Sequence, residues 1–169
     1  MERLQRTLLA SQVSEIIIVI GAHAKRIQPY LLNHKKIKVV YNKNYILGQT
    51  SSFKAGLRAS MSDNLGFMIF PVDYPFVKVE TINSLIEEFT NRKDKILIPV
   101  YQARKGHPSF FPSALREEFL ALSDAAGLNT IQHRHEDKIG LKEVDDPGVV
   151  QTFNTPEEFE EMKRLIDLK

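Results

Sequence analysis

The sequence predicts an α/β fold with a mostly parallel sheet covered on both faces, and two observations carry that expectation. Short β-branched or aromatic runs alternate with helical patterns as far as Tyr101, and the runs are mostly apolar instead of strictly alternating with polar residues. Strands buried on both faces have that composition, and helices between them build βαβ units. The predicted strands are 15–20 (EIIIVI), Ile37–Tyr41 (IKVVY), 67–72 (FMIFPV) and 95–101 (KILIPVY).

The helices follow from their apolar stripes. Residues 2–11 place Leu4 and Leu8 on one face, and 23–32 form a second helix. Residues 51–61 carry Phe53, Leu57 and Met61 at i, i+4 and i+8. Val79–Asn91 carries Ile82, Leu85, Ile86 and Phe89. Beyond Tyr101 the rhythm changes: a short strand at 107–111, helices at 113–122 and 128–136, a turn at 144–148 and a last strand at 149–153. The final helix starts with a capping box, Thr155 as N-cap, Pro156 at the first helical position and Glu158 three residues after the cap. Phe159, Met162, Leu165 and Ile166 supply its apolar face. No linker, repeat or low-complexity segment interrupts the 169 residues, which read as a single domain.

Composition narrows the function. Hydrophobic residues are 43% and charged residues 26% of the chain, an ordinary globular balance. No apolar run approaches the ~20 residues of a membrane helix, and the charged start MERLQRTLLAS is unlike a signal peptide, so a cytoplasmic location is expected. The absence of cysteine excludes disulfides, zinc–thiolate sites and thiol nucleophiles. A net charge of +2 does not by itself imply a nucleic-acid partner.

Four stretches carry candidate chemistry. Asp73 ends the apolar run of GFMIFPVDYPFV, where open parallel sheets bind ligands; it reads either as a Mg²⁺ ligand or as a turn residue before Pro75. In LGQTSSFKAGL, Gly48 permits close backbone approach, and Thr50, Ser51 and Ser52 open a helix whose N-terminus suits a phosphate or a nucleobase edge; a simple cap would need one hydroxyl and here there are three. In ARKGHPSFF, the turn glycine Gly106 and the basic side chains of Arg104 and Lys105 can meet an anionic substrate, although Arg104 and Lys105 read individually as solvated charges; His107, locked into extended geometry by Pro108, is the stronger candidate. In QTFNTPEEF, the amide of Asn154 either completes a metal or ribose site or shapes the turn. HRHED (133–137) reads as a solvated helix end, because His133 and His135 are two apart and face different ways. No P-loop, dinucleotide fingerprint or Ser-His-Asp order is present.

In this order, the pieces resemble the molybdenum-cofactor nucleotidyltransferase family, especially its molybdopterin cytidylyltransferase branch, over nearly the whole chain. IIIVIGAHAKRI is similar to the family's second strand and following turn, GQTSSFKAGL to its serine-rich segment, VDYPFV to its Asp-x-Pro motif, KGHPSFF to its Gly-His-Pro strand, and FNTPEEF to its late Asp/Asn-Thr-Pro-Glu segment. DAAGLNTIQHRH is a looser match to its Gly-Leu-Arg helix, with Asn129 in place of arginine. The resemblance implies a three-layer α/β/α fold of the nucleotide-diphospho-sugar transferase type. It implies transfer of a nucleoside monophosphate from CTP or GTP to a phosphorylated acceptor such as molybdopterin, with pyrophosphate released. Sugar or alcohol phosphates are alternative acceptors, and a non-catalytic nucleotide-binding protein is the alternative from another class. By the same resemblance, Asp73 binds Mg²⁺ and acts catalytically, Gly48, Thr50, Ser51 and Ser52 contact the nucleotide, and Gly106, His107 and Pro108 line the acceptor side. Asn154 stands where the cytidylyl branch has a metal-binding Asp and the guanylyl branch often has Asn. A homo-oligomer or a molybdoenzyme is the protein partner it points to.

One departure stands out. The family opens with a strand and a Leu-Ala-Ala-Gly-x-Ser-x-Arg-Met-Gly loop that wraps the triphosphate; this sequence starts inside what resembles the first helix. That strand is central in the family's sheet, so its absence is expected to leave apolar surface and unpaired backbone beside 67–72. A shortened version of a longer protein, a gap filled by a partner, and a rearranged inactive relative would each explain this, the first being favoured. Catalysis by the 169 residues alone is expected to be weak or absent.

Overall fold

The computed structural model describes residues 1–153 and 155–167. Seven strands form among them: β1 Ile16–Ile20, β2 Ile37–Tyr41, β3 Gly66–Ile69, β4 Ile96–Tyr101, β5 Arg104–Lys105, β6 Ser109–Pro112 and β7 Ile139–Glu143. The helices are α1 Glu2–Ala10, α2 Ala24–Ile27, α3 Gln49–Ala59, α4 Val79–Asn91, α5 Arg116–Ala121, α6 Asn129–Arg134 and α7 Pro156–Asp167. No described helix is long and apolar enough to cross a membrane.

The expected α/β/α layering is visible in which way alternate residues face. In β4 (ILIPVY), Ile96 and Ile98 join a cluster with Leu57 of α3, Phe119 of α5 and Ile131 of α6, whereas Leu97 joins Leu85 and Phe89 of α4. β6 repeats the pattern, with Phe111 on the first face and Phe110 on the second. β1 packs Ile16, Ile18 and Ile20 against Leu4 and Leu8 of α1 and Ile82 of α4. Ile82, Leu85, Ile96, Phe119 and Ile131 are completely buried, each contributing roughly 1.5–3 kcal/mol. The rings of Phe53, Phe67, Phe111 and Phe119 interlock at centroid distances of 5.0–5.8 Å.

Sheet pairing is more mixed than the sequence suggests. β1 pairs with β2 and β4 with β7 in parallel, but β6 is antiparallel to both β3 and β4, and β5 closes a hairpin on β4. β3 stops at Ile69, three residues before the expected end, because its pairing with β6 finishes at Ile69–Ser109 and Pro71 has no N–H to continue a ladder. Residues 149–153 are not a strand: Pro147–Val149 is a 3₁₀ turn, and the last strand is β7. IGLKE does not read as a strand in the sequence because it mixes a glycine and two charges, and Leu141 is 53% exposed. Residues 23–32 shrink to the four of α2 plus a 3₁₀ turn, Gln28–Tyr30, at Pro29. Met61 lies beyond α3 and is exposed. The capping box at α7 forms as written: Glu158 N–H donates to Thr155 Oγ1 and Thr155 N–H to Glu158 Oε2. Phe159 then packs on Phe76 and Phe153. The side chains of Leu165 and Ile166, read as part of that face, lie outside the described set.

The strands fall into two groups, β2–β1 and β3–β6–β4 with β5 and β7. Between β1 and β3 runs a cleft of about 750 Å³, lined by Ile16–Val19 and 66–72, by Leu4 and Leu8 of α1, and by Phe53 and Leu57 of α3. This is where the sequence places open backbone and apolar surface.

Candidate functional site

The register of β3 and β6 brings two of the sequence's candidates to one edge. Ile69 pairs with Ser109, so the chain leaving β3 toward Asp73 meets the chain entering β6 from His107 and Pro108. Asp73 sits in a turn, and its Oδ2 accepts a 2.7 Å hydrogen bond from Thr152 Oγ1. Tyr74 places its ring 4.8 Å from that of His107. His107 N–H donates to Val149 O and Gly106 N–H to Pro99 O, which seats the Gly-His-Pro turn between β4 and the 147–152 segment. Gly106 is required sterically, since a Cβ there would stand 2.2 Å from Val149 O. Pro108 is fully buried behind a cis peptide bond.

Burial first, and the Asp73 carboxylate second, set the electrostatics at this edge. Burial pushes the His107 imidazole below its ordinary pKa, with the Asp73 carboxylate pulling the other way, so the ring is neutral near pH 7. Burial, then Asp73, raise the Tyr74 phenol, opposed by Thr152 and the Arg104 guanidinium. Two buried polar atoms here lack hydrogen-bond partners among the described residues, His107 Nδ1 and Gln151 Oε1. Orphaned polar atoms are costly in a core and common where a ligand supplies the partner.

The serine-rich segment is organised differently from its sequence reading. Gly48 adopts φ 100°, which favours glycine, although a Cβ there would meet nothing within 4 Å. Thr50 is buried and donates to Ala126 O, tying α3 to the α5–α6 connection. Ser51 is buried too, and its hydroxyl bonds backward to Asn44 O and Gly48 O. Ser52, half-buried, lines the β1–β3 cleft. The residue that arranges both serines is Asn42, just after β2. Its buried amide Nδ2 donates to Ser51 Oγ and Ser52 Oγ, each at 3.0 Å, while Oδ1 accepts from Asn44 N–H. Asn42, Tyr74 and Thr152 were not legible as site residues: each meets its partner across a turn or a long stretch of sequence. Replacing Asn42 by alanine removes both serine contacts and is expected to cost about 1–3 kcal/mol in urea unfolding.

Asn154 lies outside the described residues. In HRHED, His133 bonds Glu136, while His135 Nε2 meets Glu118 Oε2 at 2.6 Å, a hydrogen bond that lowers the Glu118 pKa. No group of three or more His, Cys, Asp or Glu suited to a metal ion occurs among the described residues. A lone carboxylate nevertheless fits Mg²⁺, which takes one or two carboxylates and fills its other positions with water and phosphate oxygens. Asp73 offers about four lone-pair positions, of which Thr152 uses one.

Residues 1–139 match the family described as MobA-like NTP transferase domain. The chain belongs to that family. Its fold recurs in solved structures at low identity. Rv0371c from Mycobacterium tuberculosis superposes with a TM-score of 0.79 at 16% identity, covering 96% of this chain and 82% of that one; it has also been solved in complex with manganese. The 4-diphosphocytidyl-2C-methyl-D-erythritol synthase from Anaerococcus prevotii gives 0.77 at 18% identity, covering 98% and 85%. Molybdopterin-guanine dinucleotide biosynthesis protein A from Archaeoglobus fulgidus gives 0.58 at 16%, covering 90% and 79%. No curated protein matches the chain.

Proposed function

We propose that this MobA-like domain transfers a nucleoside monophosphate from a nucleoside triphosphate, CTP in the first instance, to a phosphorylated acceptor such as molybdopterin. The observation that carries the reading is Asp73 hydrogen-bonded to Thr152 at the same edge as a neutral His107 with an orphaned Nδ1. An acceptor phosphate oxygen attacks the α-phosphorus, the bond from that phosphorus to the α–β bridging oxygen breaks, and pyrophosphate leaves with the electron pair. The acceptor phosphate is already ionised, so no catalytic base is needed. Positioning and charge neutralisation are the demands on the protein.

Asp73 is the residue to hold Mg²⁺, which when bound would neutralise charge on the phosphates. The Gly48–Ser52 start of α3, with its N–H groups and the Ser52 hydroxyl, takes the nucleotide. Gly106, His107 and Pro108 shape the acceptor side, where one imidazole nitrogen can donate to a phosphate oxygen. Arg104, close enough to influence Tyr74, adds positive charge. Asn154 is the proposed second metal contact.

An alcohol-phosphate acceptor is the second reading, supported by the higher TM-score to the erythritol synthase, 0.77 against 0.58 for the molybdopterin-guanine protein. Pyrophosphate release with CTP and Mg²⁺ is the test, with molybdopterin and methylerythritol phosphate offered separately. Release with molybdopterin alone supports the first reading, and release with the polyol phosphate alone moves the assignment to the second. Tight CTP binding without release in either case, by the protein isolated from its own cells as well as by the 169 residues, overturns both in favour of a non-catalytic nucleotide-binding protein.

A further inference from the structure

Charge is unevenly placed along the chain. Eight lysines and arginines and no aspartate or glutamate fall between residues 16 and 62, although the whole chain carries only +2. The acidic excess lies in the remaining residues. Of the eight basic side chains, Lys54 alone pairs with a carboxylate among the described residues. Lys25 and Arg26 of α2, Lys35 just ahead of β2 and Lys43 just after it are exposed, and none of them enters an ion pair among those residues. The outer edge of β2 is open, and its free groups can be named. Lys36 O accepts from Ile16 N–H at the start of the strand, and Asn42 N–H donates to Ile20 O at its end. By the register, Lys38 and Val40 between them also turn their backbone groups to β1. Val39 and Tyr41 therefore point theirs outward, where among the described residues both N–H and both C=O groups lack a partner. The same two residues expose their side chains, at 44% and 54%, and Ile46 in the following 3₁₀ turn is 83% exposed. Ile37, two residues earlier on that face, packs against the cluster formed by α1 and β1; α2, with four residues, is too short to extend the cover.

We propose that the outer edge of β2 takes an extended, acidic segment of a partner protein as an added strand. Main-chain bonds to Val39 and Tyr41 fix its register. Its carboxylates meet Lys35 and Lys43 at the two ends of the strand, and the positive field of α2 steers its approach. Charge decides between this occupant and a second copy: pairing two β2 edges would set Lys35, Lys38 and Lys43 against their own like charges. A nucleic-acid strand meets the charge, but it has no use for alternate backbone donors and acceptors or for an exposed Val39 and Ile46. Guarding an edge against aggregation asks for charge in the strand itself. Only Lys38 stands there, and its ammonium already donates to Ala59 O. Nor does a guard call for apolar Val39 and Tyr41 on the surface beside the open backbone. The proposal is independent of the nucleotidyltransferase reading.

Amide exchange followed by NMR tests it on the 169-residue chain, with the peptide Asp-Val-Glu-Val-Asp-Val-Glu-Val as probe. With the peptide in excess, exchange at Val39 and Tyr41 is expected to slow at least about tenfold, while Lys38 and Val40, already bonded to β1, change little. A peptide of the same charge with proline at every valine should give no protection. Lys35→Glu combined with Lys43→Glu is expected to slow peptide association about tenfold and to flatten its dependence on salt. No protection with peptide at about 1 mM overturns the proposal. So does equal protection by the proline peptide, or binding that charge reversal leaves unchanged. Protection confined to 67–70 overturns it by assigning the peptide to the β1–β3 cleft. Protection of Val39 and Tyr41 by an eight-nucleotide oligothymidylate and not by the peptide assigns the surface to nucleic acid. Protection that grows with protein concentration in the absence of peptide assigns it to a second copy, and each of these last two results also overturns the proposal.

Discussion

Replacing Asp73 by asparagine is expected to lower pyrophosphate release by about 10²–10³-fold, the scale of losing one preorganised group that stabilises transition-state charge. Stability should hardly move, within about 0.5 kcal/mol, since Asp73 lies in a surface turn and its hydrogen bond to Thr152 is solvent-exposed. His107 supplies an independent readout. Its pKa is lowered by burial and raised by Asp73, so removing the carboxylate's charge leaves burial unopposed. The His107 titration, followed by NMR, should shift further to low pH in the variant. The linkage has a definite sign: a histidine with a depressed folded pKa contributes full stability above its unfolded value of about 6.5, and that contribution falls as pH drops toward the folded value. In Asp73→Asn the acid loss should deepen. Full turnover in the variant would remove Asp73 from the metal site, and an upward shift of His107 would contradict the electrostatic account of this edge.

How much of this was legible in the chain depends on how far apart the cause and the effect lie in sequence. Val79–Asn91 was legible in full, because its apolar spacing and its burial are local properties of one helix. The Thr155–Glu158 box was legible for the same reason. β7 was not, since IGLKE becomes a strand only through its parallel partner β4, more than forty residues earlier in the chain and already buried on both faces. The antiparallel insertion of β6 was equally invisible, since SFFP reads as a strand in either direction. At the site, the sequence pointed to the Asp73 and His107 edges but not to what holds them. Three adjacent hydroxyls in QTSSF suggested ligand contacts, whereas Thr50 and Ser51 turn inward and bond the protein's own carbonyls. Short polar side chains at a helix start serve the backbone as readily as a ligand, and only tertiary placement separates the two.

The largest stability effect is expected at Asp146, which no site argument singled out. Asp-Asp-Pro-Gly reads as a turn, yet Asp146 is 1% exposed and accepts three hydrogen bonds: from Lys78 N–H and Thr81 Oγ1 through Oδ2, and from Gly148 N–H through Oδ1. Lys78 is the N-cap of α4, so a carboxylate from the far end of the chain satisfies that helix's start and complements its dipole. It also fixes Pro147–Val149, whose Val149 O accepts from His107 N–H, and so supports the acceptor side of the site. Asp146→Ala leaves three donors without partners in a buried setting and is expected to cost about 3–5 kcal/mol in urea unfolding. Asp146→Asn keeps one acceptor oxygen and should lose less. Gly148→Ala should rank with the alanine variant, because its Cβ would meet Phe76 O at 2.4 Å, rigid backbone on both sides. A loss under about 1 kcal/mol in Asp146→Ala would show that α4 finds another cap and that the 147–152 segment is held by other contacts. The alternative outcome, large destabilisation with His107 exchange accelerating ahead of global unfolding, would place Asp146 at the joint between the fold and its site.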